Sequence, residues 1–207
     1  MADKKADIKR DCHMKKLTAE QVLAAYTGVA REHFPVEELK PAALIEKLLQ
    51  EGAYEGLGLF LGEALAAYAL FARIPEWDVL LLDYYAVLAE YRNGGMGSLF
   101  LQKMKEFYSS REAILLETEK PEAAENEAEY ELRARRNGFY ERNGAVLTKI
   151  RSRVYDVDFD IFVISLAKEL SDEEVYQAYS AIYRCMLGEE NYRRHVSVEY
   201  AEESPKA

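Results

Sequence analysis

The residues best placed to do chemistry are the cation and glycines of Arg92-Asn93-Gly94-Gly95-Met96-Gly97-Ser98. They stand where an apolar run, Val79 to Val87, hands over to a helical pattern with Met96, Leu99, Phe100 and Met104 on its buried side. A helix N-terminus exposes unpaired N–H groups and carries about half a positive charge, so it stabilises an anion. Glycine removes the Cβ that would hold a phosphate away from those donors, and it permits positive φ. Arg92-x-x-Gly95-x-Gly97 therefore reads as a phosphate cradle. A ligand-free glycine turn is the bland alternative. A dinucleotide-binding turn would want a third glycine at position 100, where Phe100 stands.

Other residues carry weaker signals. Asp83 interrupts the apolar run, and a carboxylate there is costly unless it is paired or lines a wet cleft. Glu117 and Glu119 lie at the end of the next strand, Ala113 to Glu117. His13, His33 and His195 form no i, i+4 pair and have no cysteine partner, so no metal is expected. Tyr176, Tyr179 and Tyr183 recur at helical spacing, which reads as core or interface packing, with an acceptor wall or dimer seam as the other reading.

The elements that must hold these residues follow from periodicity and punctuation. Thr18-Ala19-Glu20-Gln21 fits a capping box, and Val22, Leu23, Tyr26, Val29 and Ala30 continue it as an amphipathic helix to about Glu32. Pro41 suits the first turn of a second helix ending near Gly52. Leu57 to Leu61 and Ala64 to Ile74, separated by Gly62-Glu63, read as antiparallel strands, with Val79 to Val87 a central one. The glycine turn, its helix and Ala113 to Glu117 complete a strand, turn, helix, strand unit. Glu122 to Arg136, acidic first and basic last, reads as a solvated helix face matched to the macrodipole. Asn143-Gly144 is a turn before a strand at Ala145 to Ile150, and Ser171-Asp172-Glu173-Glu174 caps a helix to about Gly188.

Bulk properties bound the function. A chain of 207 residues with 49% hydrophobic and 31% charged content suits one domain over 14–200, with a loose extension at 1–13 and a disordered tail at 201–207. No run approaches the roughly 20 apolar residues of a membrane span, and the N-terminus lacks the apolar centre of a signal peptide. Cys12 and Cys185 stand alone, as in a reducing compartment, so a cytoplasmic protein without a membrane partner is expected. A net charge of −10 argues against nucleic acid as a partner. Binding of a polyanion must then rest on local cations, for which Arg92, Lys103, Lys105, Arg133, Arg135 and Arg136 are the candidates.

Two stretches carry a family resemblance. Val87-Leu88-Ala89-Glu90-Tyr91-Arg92-Asn93-Gly94-Gly95-Met96-Gly97-Ser98 resembles the cofactor motif of the GNAT (GCN5-related N-acetyltransferase) superfamily. Arg135-Arg136-Asn137-Gly138-Phe139-Tyr140-Glu141-Arg142-Asn143-Gly144-Ala145 resembles its second motif, in matching order and spacing. The resemblance spans about residues 14 to 150. It implies an α/β (α+β) fold with a central twisted, mixed, mostly antiparallel sheet. Its two central parallel strands splay to admit the pantetheine arm of acetyl-CoA, and helices flank it. It also implies that the backbone around Val87 pairs with the pantetheine, and that donors from Arg92, Asn93, Gly94, Gly95, Met96, Gly97 and Ser98 take the pyrophosphate. Many relatives carry Asn seven residues before the motif tyrosine, touching the pantetheine side of the cofactor; this chain has Arg133, implying a charged contact with the cofactor there.

The implied reaction is transfer of an acetyl group from acetyl-CoA to a primary amine, on a small molecule or a protein. Well under 1% of an alkyl amine with a pKa near 10.4 is neutral at pH 7, so a base is useful. Asp83 and Glu119 are the candidates for it, and Tyr140 matches the family's usual general acid. No Ser or Cys nucleophile motif is present, which favours direct attack over a covalent acyl-enzyme. The alternative is a non-catalytic module that binds an acyl-CoA as a sensor or recruits a partner. A homodimer is left open.

Overall fold

The computed structural model describes residues 12–34 and 39–201. They form two compact units, one from the described residues up to 75 and 82–109, the other from 76–81 and 110–201.

The first unit begins with β1 (Cys12–Leu17), antiparallel to β2 (Tyr54–Leu61), which pairs in turn with β3 (Ala64–Arg73) across the Gly62-Glu63 connection. Between β1 and β2 lie α1 (Ala19–Ala24), a π-helical segment (Ala25–Val29), α2 (Ala30–His33) and α3 (Ala42–Gln50). The Thr18 capping box forms: Gln21 N–H reaches Thr18 Oγ1 at 3.2 Å, and Thr18 N–H reaches Gln21 Oε1 at 3.0 Å. Then come β4 (Val79–Val87), a 3₁₀ turn (Ala89–Tyr91) and α4 (Met96–Phe107).

The expected extension at 1–13 falls largely on residues 1–11, outside the described residues; Cys12 and His13 belong to β1. That strand escapes the sequence reading because its burial, inward only at Cys12 and Leu17, has no strict alternation. On α4 the fully buried apolar positions are Phe100, Leu101 and Met104, while Leu99 is half-buried.

The second unit holds β5 (Ala113–Glu119), a 3₁₀ turn (Pro121–Ala123), α5 (Glu127–Arg142), β6 (Val146–Val154), β7 (Val157–Ser165), α6 (Asp172–Leu187), α7 (Glu189–His195) and β8 (Val196–Tyr200). β7 pairs antiparallel with both β5 and β6, and β8 pairs antiparallel with β6. Ser171 and Glu174 form the second capping box. β4 belongs to both units, Val79–Leu81 to the second and Leu82–Val87 to the first, and the strand order is β1-β2-β3-β4-β5-β7-β6-β8. The result is the mixed α/β sheet that the sequence leads one to expect. Residues 202–207 of the expected tail lie outside the described residues.

Two features fix the core of the first unit. A Cβ on Gly56 would stand 2.6 Å from Val22 Cγ2, so α1 rests directly on the backbone of β2. Glu55 is buried at 5% exposure, with Lys16 Nζ at 2.9 Å, the Tyr108 hydroxyl at 2.8 Å and Arg73 at 3.5 Å. Burial alone would raise its pKa, but hydrogen bonds from Lys16 and Tyr108 and the charges of Lys16 and Arg73 outweigh it and hold the carboxyl below the ordinary 4.5.

A depressed carboxyl pKa contributes stability above its unfolded value, and that stability is lost as pH falls through the folded one. Glu55→Gln is therefore expected to cost about 1–3 kcal/mol at pH 7. It should also flatten the decline in stability below the ordinary carboxylate pKa, as read by urea unfolding across pH. Lys16 is half exposed and solvent-screened, so most of the loss should trace to the Tyr108 and Arg73 side.

Candidate functional site

In the first unit the strand end and the helix start are tied together. The Tyr85 hydroxyl donates to Gly97 O at 2.6 Å, and its ring stacks on Phe100 with centroids 5.2 Å apart. Arg92 Nε donates to Val87 O at 2.9 Å, folding the guanidinium back over the strand end, and Leu88 N–H bonds Ala66 O at 3.0 Å. Asn93 and Gly95 both take left-handed conformations, at φ 63° and 76°. Gly95 is the N-cap of α4, and no side chain caps it. The first amides of α4, on Met96, Gly97 and Ser98, lie in the turn that has no intrahelical acceptors.

The end of β4 and the start of α4 thus bring Val87, Arg92, Asn93, Gly94, Gly95, Met96, Gly97 and Ser98 together around one uncapped helix end. Arg92 also adds positive potential nearby: burial raises the Tyr68 phenol and the Arg92 charge partly offsets that. A diphosphate fits such a set because the donors are backbone groups and the uncapped helix end favours negative charge.

Asp83 lies four residues before Val87 on β4. Its side chain is buried, with Oδ1 2.6 Å from Lys40 Nζ and Oδ2 accepting from the Tyr54 hydroxyl. Both oxygens are therefore engaged, and the carboxylate is held as half of a buried ion pair.

In the second unit Glu119, at the end of β5, accepts from Arg133 at 2.8 Å and Arg136 at 3.2 Å. Arg133 is itself buried; it also bonds Glu129 at 2.7 Å and Lys120 O at 3.0 Å. Arg133 thus ties the end of β5 to α5, and its guanidinium is committed to two carboxylates. Tyr140 is buried in the last turn of α5, with Phe139 edge-on at 5.3 Å. Burial pushes its phenol up to about 12, the charge of Arg136 pulling the other way.

One arrangement escapes the sequence reading. Glu117 on β5 accepts from Tyr179 at 2.6 Å and from Tyr183 at 2.7 and 2.8 Å, and Ser152 lies 2.8 Å from the Tyr179 hydroxyl. The signal was the helical spacing of Tyr179 and Tyr183, which reads as packing because their rings are indeed buried. Their hydroxyls nonetheless aim a half-exposed carboxylate. Burial first, then the Glu117 charge, pushes the Tyr179 phenol well above its ordinary value, so it stays a donor. Among the described residues no cluster of His, Cys, Asp and Glu could hold a metal ion, and no helix is long and apolar enough to cross a membrane.

A family model for the acetyltransferase (GNAT) family matches residues 20–144, more than half of the chain. The chain belongs to the GNAT acetyltransferase family. A search of curated proteins returns no match. Among solved structures, a GNAT-family protein from Bacteroides thetaiotaomicron aligns at TM-score 0.62 and 21% identity, covering 81% of this chain and 93% of its own. The ribosomal-protein-S18-alanine N-acetyltransferase of Escherichia coli aligns at 0.53 and 20%, covering 77% and 96%. Spermidine N-acetyltransferase from Vibrio cholerae, in complex with CoA and spermine, aligns at 0.55 and 10%, covering 77% and 98%. At these identities the likeness speaks for the fold.

The two central glycines of the turn should behave differently on substitution. A Cβ on Gly94 meets nothing within 4 Å, so Gly94→Ala should leave stability within about 0.5 kcal/mol. Gly95→Ala must hold φ 76° with a side chain, at a cost of about 1–2 kcal/mol, and should weaken acetyl-CoA binding at least tenfold. Thermal unfolding and calorimetric titration check both.

Proposed function

We propose that the protein transfers an acetyl group from acetyl-CoA to a primary amine by direct attack. The observation that carries this reading is the uncapped start of α4, with Gly95 left-handed and Gly97 pinned by Tyr85. It supports a grip on the pyrophosphate of acetyl-CoA, which supplies the activated acetyl group when bound.

Direct attack needs a proton acceptor for the amine and a donor for the departing thiolate. Glu117 suits the first role: it is half-buried on β5 and accepts from two phenols, and Asp83 and Glu119, each in contact with a cation, are the other candidates. Tyr140, carried over by its motif, suits the second as a hydrogen-bond donor. Full proton transfer from a phenol at about 12 to a thiolate of about 8.5 is uphill by about 5 kcal/mol, so hydrogen bonding in place is the cheaper course. Arg133 serves to position the β5–α5 junction.

The acceptor is read as a cationic amine. The net charge of −10 favours cations, and the relative from Vibrio cholerae acts on spermidine. We place the protein in the cytoplasm, as one domain over 14–200. Release of CoA thiol, followed across diamines, polyamines, aminoglycosides and lysine or N-terminal peptides, tests the function. Turnover on at least one amine is expected; tight acetyl-CoA binding with no turnover on any would favour the acyl-CoA-binding module instead.

Glu117→Gln should lower kcat by about 10² to 10⁴ while leaving acetyl-CoA affinity unchanged. Tyr140→Phe should lower kcat about a hundredfold, as loss of one preorganised donor does. Because the protonated phenol is the working form and burial lifts it to about 12, Tyr140 should add no alkaline fall in kcat below about pH 10. Kinetics of the variants and a wild-type pH profile measure all three.

A further inference from the structure

Several side chains of the first unit converge on the buried carboxylate of Asp83. The Tyr54 hydroxyl donates to one oxygen and the Lys40 ammonium to the other, at 2.6 Å. The same ammonium lies 5.2 Å from the centroid of the Tyr84 ring, within range of its π face. Tyr26 and Phe34 meet Tyr84 edge-on at 5.3 and 5.0 Å and wall the box. The backbone of Lys40 is also clamped, with Tyr26 donating to Lys40 O at 2.7 Å and Lys40 N–H donating to the Tyr84 hydroxyl at 3.3 Å.

The parts differ in where they come from. Asp83, Tyr54 and Tyr84 belong to strands of the sheet, and Tyr26 to the π-helical segment, a rare helix type that recurs at functional sites. The cation alone hangs on a four-carbon stem from a loop. It is also more open than its partner: the Lys40 side chain is 19% exposed, against 1% for Asp83. A carboxylate, a phenol and an aromatic face are what a primary ammonium is recognised by. Exchanging one alkylammonium for another in such a box conserves charge and hydrogen bonds, so it avoids the penalty of leaving a buried carboxylate bare.

We propose that Asp83, Tyr54 and Tyr84 form a binding site for the primary ammonium of the acceptor, which Lys40 fills as a tethered surrogate until an acceptor displaces it. This rests on the acetyltransfer reading for the identity of the visitor and on the geometry alone for the site. It narrows the acceptor to amines with an ammonium on an unbranched alkyl arm, the chemistry of a polyamine or a lysine side chain.

The test needs no acetyl-CoA. Lys40→Ala removes three methylenes and the ammonium, the size of propylammonium, while Lys40→Met keeps a stem and removes only the charge. Titrating propylammonium chloride at constant ionic strength should raise the melting temperature of the Lys40→Ala protein by several degrees. It should bind at least about tenfold more tightly than to the wild type, where a tethered ammonium competes at an effective concentration of millimolar order. Lys40→Met and the double variant Lys40→Ala/Asp83→Asn should not respond. Because the readout is rescue, a weakly folded Lys40→Ala protein is equally informative. No saturable shift in Lys40→Ala, or an equal one in the double variant, overturns the site.

In turnover, KM for 1,4-diaminobutane should fall in Lys40→Ala, and an unchanged KM overturns displacement by the acceptor. Failure of every amine to be acetylated would instead overturn the acyltransferase reading and leave the ammonium site standing.

Discussion

The hydrogen bond from the Tyr85 hydroxyl to Gly97 O fixes the start of α4 against the end of β4. It joins the last part of β4 to the opening turn of α4, and the stacking of Tyr85 on Phe100 keeps the two elements from sliding. A helix end is a useful anion site only if its amides are fixed in advance, since donors that must be ordered on binding give back much of what they contribute. Here the ordering is done by a phenol and a stacked ring, leaving the glycines free of side chains that would stand in the way.

In a protein of net charge −10, several buried or half-buried carboxylates have partners of their own. Lys16, Arg73 and Tyr108 surround Glu55, Lys40 and Tyr54 hold Asp83, and Arg133 and Arg136 bracket Glu119. Glu117 accepts from two neutral phenols, Tyr179 and Tyr183.

Much of this was legible in the chain. Both capping boxes, the bounds of β4, the glycine turn and the family follow from local rules that act over a few residues. What was not legible depends on partners distant in sequence. β1 owes its existence to β2, with Cys12 opposite Leu61, and carries no alternation of its own. Glu117 is 62 residues from Tyr179, and Asp83 is 43 from Lys40, so neither pairing leaves a local trace. The π-helical segment at Ala25–Val29 reads as ordinary helix, because its apolar spacing continues that of α1.

The contact of α1 with the bare backbone at Gly56 sets a rule for how this fold can diverge. Even one added carbon at that position would displace Val22 and with it the helix that leads to Tyr26. At Gly28, inside the π-helical segment, a methyl group would meet nothing. Variation among relatives should therefore be closed at the first site and open at the second, so the helical layer can change while its seat on the sheet stays where it is.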